Sequence, residues 1–243
     1  MTQHFSQQLE KLKRMITSLG SEVSEAIEDA IAALQDGDRE LARQVIDNDR
    51  RIDELDVQIE EACLQTLAMY RPANAELRVI VAIITINKDL ERIGDAAVNM
   101  AEQAIRIAAQ PAGGPVPFDL AGEARRVRSM LRHVLESLVE NDPVKARMVR
   151  AADAEVDAIH REMFEQIEVA IQDNPADTGR LISLLGVSRQ LERAADHAVN
   201  IAEDVVYMST GEMIRHNKDD LFLTSGEDNP EDAAGDDVEL GIG

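Results

Sequence analysis

Residues 90–102 read LERIGDAAVNMAE, and residues 191–203 read LERAADHAVNIAE. Nine of the thirteen positions are identical at a spacing of 101 residues: Leu90/Leu191, Glu91/Glu192, Arg92/Arg193, Asp95/Asp196, Ala97/Ala198, Val98/Val199, Asn99/Asn200, Ala101/Ala202 and Glu102/Glu203. A repeat of this length marks two copies of one structural unit. The identities include polar positions, which core packing alone does not require. Function is to be sought there.

The polar identities share one helix face. At about 100° per residue, Glu91, Asp95, Asn99 and Glu102 fall at roughly 0°, 40°, 80° and 20°. Leu90, Ala97, Val98 and Ala101 lie largely elsewhere, as an inward stripe should. Glu192, Asp196, Asn200 and Glu203 reproduce the pattern. Each copy therefore presents a column of oxygen donors.

Composition agrees with helices. Hydrophobic residues make up 44% of the 243 residues, aromatics only 2%, and Trp is absent. Cores of Ala, Leu, Ile and Val with thirteen Gly and seven Pro suit slender packed helices, not a sandwich or barrel with many turns. The net charge of −22 argues against nucleic acid or an anionic membrane as partner and favours cations or basic protein surfaces. A single cysteine, Cys63, excludes an internal disulfide and a cysteine-based zinc site, and its place in the helical pattern predicts a core residue. No apolar run approaches the roughly 18 residues of a membrane span, and MTQHFSQQLEKLKR lacks the apolar core of a secretory signal. A cytoplasmic protein without direct membrane insertion is expected.

Apolar residues at three- and four-residue steps predict a first helix over about 4–34, then helices over about 39–70 and 73–109. Asp36-Gly37-Asp38 reads as a turn and N-cap, and Arg71-Pro72 as a stop. The β-branched stretch Val79–Ile86 could form a strand, but its counterpart Leu181-Ile182-Ser183-Leu184-Leu185 is largely not β-branched, and both run into the helical repeat without a turn signal. PAGGPVP, at 111–117, is the linker. The pattern restarts over about 119–140, 144–172 and 177–215. The expected organisation is therefore all-α: a first three-helix repeat over 1–110, a linker over 111–118, a second repeat over 119–216, and an acidic tail over 217–243. The tail holds nine acids and one Lys, a composition that predicts disorder.

The second helix of each half carries its own acidic column: Asp49, Asp53 and Asp56 in the first, and, 104 positions on, Asp153, Asp157 and His160 in the second. If helices two and three run antiparallel, the D-x-x-x-D and E-x-x-x-D pairs face each other. Such carboxylates repel, by about 3 kcal/mol per pair at 6 Å and an effective dielectric near 20. Bulk water, Arg92 and Arg193, or bound cations would offset this. Oxygen-rich sets with one or no His suit Mg²⁺, Mn²⁺, Ca²⁺ or iron. A solvated acidic face is the plainer alternative, Asn99 and Asn200 serve equally well as helix-to-helix hydrogen-bonding groups, and Arg92 and Arg193 read as salt-bridge partners of the columns. His197 faces away from Asp196 and reads as a surface residue. Asp157-x-x-His160 resembles half of the E-x-x-H element of di-iron bundles, but only one imperfect copy is present. A metal hydrolase or oxidase would need more, and no nucleophile motif or Gly-rich phosphate loop occurs.

With these residues in view, positions 5–216 resemble the PhoU family of phosphate-specific transport accessory proteins. The resemblance rests on Arg71-Pro72, the two LER-x-x-D segments, the D-x-x-x-D pairs at Asp49/Asp53 and Asp153/Asp157, and TGEMIRH at 210–216. It implies two three-helix bundles related by pseudo-twofold symmetry, often as a homodimer. It further implies a cytoplasmic regulator, not an enzyme, that restrains phosphate uptake and phosphate-starvation signalling. The implied partners are the ATP-binding subunit of a phosphate ABC transporter and a phosphate-sensing histidine kinase. Metal ions (Fe, Mn, Mg or Zn) are implied on Asp49, Asp53, Glu91 and Asp95, and on Asp153, Asp157, Glu192 and Asp196. Asn99, Asn200, Asp56 and His160 are possible additional ligands. His160 and Phe164 stand where Asp56 and Glu60 stand in the first half, so the two sites are expected to differ.

Overall fold

The computed structural model describes residues 3–110, 116 and 118–214. Six helices account for nearly all of them: α1 (Gln3–Asp36), α2 (Arg39–Tyr70), α3 (Ala75–Ala108), α4 (Leu120–Glu140), α5 (Pro143–Asp173) and α6 (Thr178–Thr210), with a short 3-10 turn at Pro175–Asp177. No strand occurs among the described residues; Val79–Ile86 lies within α3. Most of the expected linker and the tail over 217–243 lie outside the described residues.

The helix ends follow local chemistry. Asp38 caps α2 by accepting from the backbone N–H groups of Glu40 and Leu41, and Asp142 caps α5 by accepting from Val144 and Lys145. Each cap follows a left-handed residue, Gly37 (φ 65°) in one half and Asn141 (φ 54°) in the other. The third helix begins at Ala75 rather than 73, because Arg71 and Asn74 adopt positive φ and delay it. The last helix stops at Thr210, before the expected 215. Gly211 takes φ 80° there and its N–H bonds back to the Tyr207 carbonyl.

Within each half the helices pack mutually: α1 on α2 and α3, and α4 on α5 and α6. The halves join along α3 and α6, the most extensive pairing in the molecule, with α1 against α4 beside it. The α1 stripe Leu12, Ile16, Leu19, Val23 and Ile27 is buried, and so are Leu90, Ala97 and Ala101 with their repeats Leu191, Ala198 and Ala202. One continuous apolar cluster runs through both halves. Cys63 belongs to it, and burial, with Glu60 adding, pushes its thiol up to about 12. None of the described helices is long and apolar enough to cross a membrane.

Candidate functional site

Helices α2 and α3 run antiparallel. Asn87 Nδ2 donates to Asp56 Oδ1 at 2.7 Å, whereas one end further along Gly94 approaches Asp49. A Cβ at Gly94 would lie 3.2 Å from Ile52 Cγ2 and 3.7 Å from Asp49 Oδ1, so the absent side chain lets the acidic stretch of α2 lie close on α3. The columns therefore face each other. Burial, then repulsion from Asp53 and Asp95, raises the Asp49 carboxyl above its usual range. Glu91 is raised by burial and by Asp95, against the opposing pull of Arg92.

Part of this face is already neutralised. Lys88 Nζ lies 2.9 Å from Asp56 Oδ2 and 3.0 Å from Glu60 Oε2, and Arg92 lies 3.2 Å from Asp95 and 3.5 Å from Glu91. Asp56, largely buried, is thus held by Asn87 and Lys88 rather than by its acidic neighbours.

The α5–α6 groove repeats the four acids with different company. Burial, then Asp157, Asp196 and Glu192, pushes the Asp153 carboxyl up to about 6. Its Oδ1 is buried and has no hydrogen-bond partner among the described residues. Glu192 is raised by burial and Asp196, with His160 opposing, and Asp196 by burial and Asp157, with His197 and Arg193 opposing. Arg193 was expected to pair with this column, but makes no ion pair among the described residues and acts only at a distance. His160 Nδ1 sits 2.7 Å from Ser188 Oγ, which donates to Glu123 Oε1 at 2.9 Å. Burial pushes the Glu123 carboxyl up to about 8 despite the Ser188 hydrogen bond.

Neither asparagine bonds a carboxylate of the eight groove acids among the described residues. Asn99 Nδ2 donates to the Asp95 carbonyl of its own helix at 2.8 Å, and Asn200 Nδ2 to Asp89 Oδ1 of α3 at 3.3 Å. The helix-to-helix alternative thus describes Asn200. His197 also departs from expectation: it is no free surface residue but is half-buried, with Nδ1 2.8 Å from Asp89 Oδ1 across the seam between the halves.

Among the described residues, no three His, Cys, Asp or Glu side chains converge as a ready-made ligand shell. The donor chemistry nevertheless fits a hard cation. Asp153 has a stranded buried oxygen amid three other acids, and ions such as Mg²⁺ are commonly held by one or two carboxylates and several waters. Asp49, Asp53, Glu91 and Asp95 in one groove, and Asp153, Asp157, Glu192 and Asp196 in the other, would hold such ions. The ion's charge would relieve the crowding.

Glu123, Ser188, Lys88 and Asp89 are not apparent as single residues in the sequence. Aligning the copies exposes three of them: Glu123 stands at the position of buried Leu19, Ser188 at that of Asn87, and Lys88 at that of Arg189.

Comparison with known proteins agrees with this architecture. The family model for the PhoU domain matches residues 16–104 and 120–205. The Rhizobium meliloti (strain 1021) "Phosphate-specific transport system accessory protein PhoU homolog" is 33% identical over 228 residues, covering 91% of this chain and 94% of the relative. The Aquifex aeolicus (strain VF5) homolog of the same description is 36% identical over 210 residues, covering 86% and 94%. The crystal structure of PhoU from Pseudomonas aeruginosa superimposes with a TM-score of 0.83 at 31% identity, covering 86% of this chain and all of that one. The chain belongs to the PhoU family.

Proposed function

We propose that this protein is a cytoplasmic regulator of phosphate homeostasis. In this reading it restrains a phosphate ABC transporter and phosphate-starvation signalling through protein contacts, and its acidic grooves bind divalent or iron-type cations. Family membership and relatives described as phosphate-specific transport system accessory proteins support the phosphate role. The observation that carries the cation role is the duplicated groove, with four acids across α2 and α3 and four across α5 and α6. The partners are the ATP-binding subunit of the transporter and a phosphate-sensing histidine kinase, engaged by a homodimer. The role is that of an adaptor, not an enzyme.

The test replaces Asp95 and Asp196 together by Asn and measures metal content in protein purified without affinity metal or chelator. Lower metal content, and phosphate uptake no longer restrained at high phosphate, are expected. Unchanged metal content excludes the ligand assignment. A second reading, a helical scaffold with unloaded acidic faces, is favoured by the lack of three converging donors among the described residues. It predicts no metal in either protein and intact capture of the ATP-binding subunit by both.

A further inference from the structure

The second bundle contains a buried polar chain drawn from all three of its helices: Glu123 of α4, Ser188 of α6 and His160 of α5. Glu123 and Ser188 are both 0% exposed. The first bundle has Leu19, Asn87 and Asp56 at these places, and there Leu19 simply packs in the core. A carboxyl group buried where a leucine would serve is costly unless it is used. Glu123 is only half-used by the protein itself, because its Oε2 is buried without a hydrogen-bond partner among the described residues.

The hydrogen bonds hold the imidazole by Nδ1. With Ser188 giving its hydroxyl proton to Glu123 Oε1, its oxygen accepts from His160, and Nδ1 carries the ring proton. In the neutral ring the lone pair is then on Nε2. That nitrogen has no hydrogen bond among the described residues, and the ring lies close enough to Glu192 to interact with it. A ring N–H tied back to the protein is how histidine ligands are oriented at metal sites.

We propose that Glu123 and Ser188 are positioning residues that present His160 Nε2 as a nitrogen ligand beside Glu192 and Asp157. The second groove then prefers a borderline transition-metal ion such as Co²⁺, Zn²⁺ or Fe²⁺, while the first, with oxygen donors and Lys88, takes a hard ion such as Mg²⁺. The inference rests on the cation reading above.

The test titrates metal-free full-length protein with Co²⁺ and, separately, with Mg²⁺, after circular dichroism has established that each variant is helical. His160→Ala is expected to weaken Co²⁺ binding by about 100-fold and alter its visible spectrum, leaving Mg²⁺ affinity within about twofold. Ser188→Ala, and Glu123→Leu, which copies the first bundle, should weaken Co²⁺ by about tenfold. Glu123→Gln keeps an acceptor for Ser188 and should stay near wild type. Nitrogen NMR of the metal-free protein should show His160 protonated at Nδ1, and mixed tautomers in Glu123→Leu. Wild-type Co²⁺ affinity and spectrum in His160→Ala overturn the proposal, as do wild-type affinity and tautomer in both Ser188→Ala and Glu123→Leu. If Asp153→Asn with Asp196→Asn abolishes Co²⁺ binding and His160→Ala does not, only this inference falls. If the wild type binds neither ion, the cation reading falls with it.

Discussion

At the foot of the α2–α3 groove Lys88 bridges Asp56 and Glu60, and at the same level of the α5–α6 groove stand His160, Arg189 and Phe164. Phe164 is exposed, and no Arg189 ion pair occurs among the described residues. Both grooves carry the same four acids. Among the described residues, only the first has a lysine ammonium docked against its lower end, and only the second has an unpartnered buried aspartate oxygen and a carboxyl group buried behind its wall. A duplicated backbone can thus hold one repulsive arrangement in two states of compensation, set by a few flanking side chains.

The largest expected difference is in pH dependence. Glu123 is more readily protonated in the folded chain than in the unfolded one, so folding retains a proton that the unfolded chain releases as pH rises. Stability is full below the unfolded value near 4.5 and declines as pH rises through about 8. At about 1.4 kcal/mol per pH decade, metal-free protein should lose roughly 4 kcal/mol between pH 4.5 and 7.5. Asp153 adds to the decline over the lower part of that range. Urea unfolding at a series of pH values measures it, and Glu123→Gln should remove most of the slope. An unaltered slope would mean that the buried carboxyl is not the cause.

Next comes cation affinity. Asp153→Asn with Asp196→Asn should weaken Mn²⁺ binding by roughly 100-fold, about 2.7 kcal/mol, and Asp49→Asn with Asp95→Asn by only about tenfold. Calorimetric titration tests the ranking, and equal losses would erase the contrast between grooves. Lys88→Gln should make the first groove more like the second. About 1 kcal/mol of stability should be lost without metal, because the lysine is half-exposed and screened, and Mn²⁺ affinity there should rise by about tenfold at low salt. The smallest effect is at Gly94, whose counterpart is Ala195. Alanine there gains about 1 kcal/mol in helix propensity and crowds Ile52 Cγ2 at 3.2 Å, so thermal unfolding should shift by under about 0.5 kcal/mol.

The helices and the facing acids were legible because both are periodic. Aliphatic and alanine steps fix which side of α1, α3 and α6 turns inward, and D-x-x-x-D spacing puts both acids of each pair on one side of α2 and α5. What was not legible depends on single, aperiodic contacts. Glu123 sits in the first turn of α4, where an acid is ordinary for a helix start, and only its position opposite Leu19 reveals that it is buried. Whether Asp56 is a ligand or an ion-pair partner turned on Lys88, one residue beyond Asn87, which a helical wheel places but does not pair. The angle between His197 and Asp196 separates the two on the helix but names no partner for the imidazole. Its real neighbour, Asp89, comes from the other copy, 108 residues away in the chain.

The buried seam between α3 and α6 ties the two repeats together. A single trio would expose the apolar flank of its third helix that is now hidden there. Carrying both copies in one chain makes the association of those flanks intramolecular. It also lets each copy keep its own side chains, so that Glu123 stands on one side and Leu19 on the other.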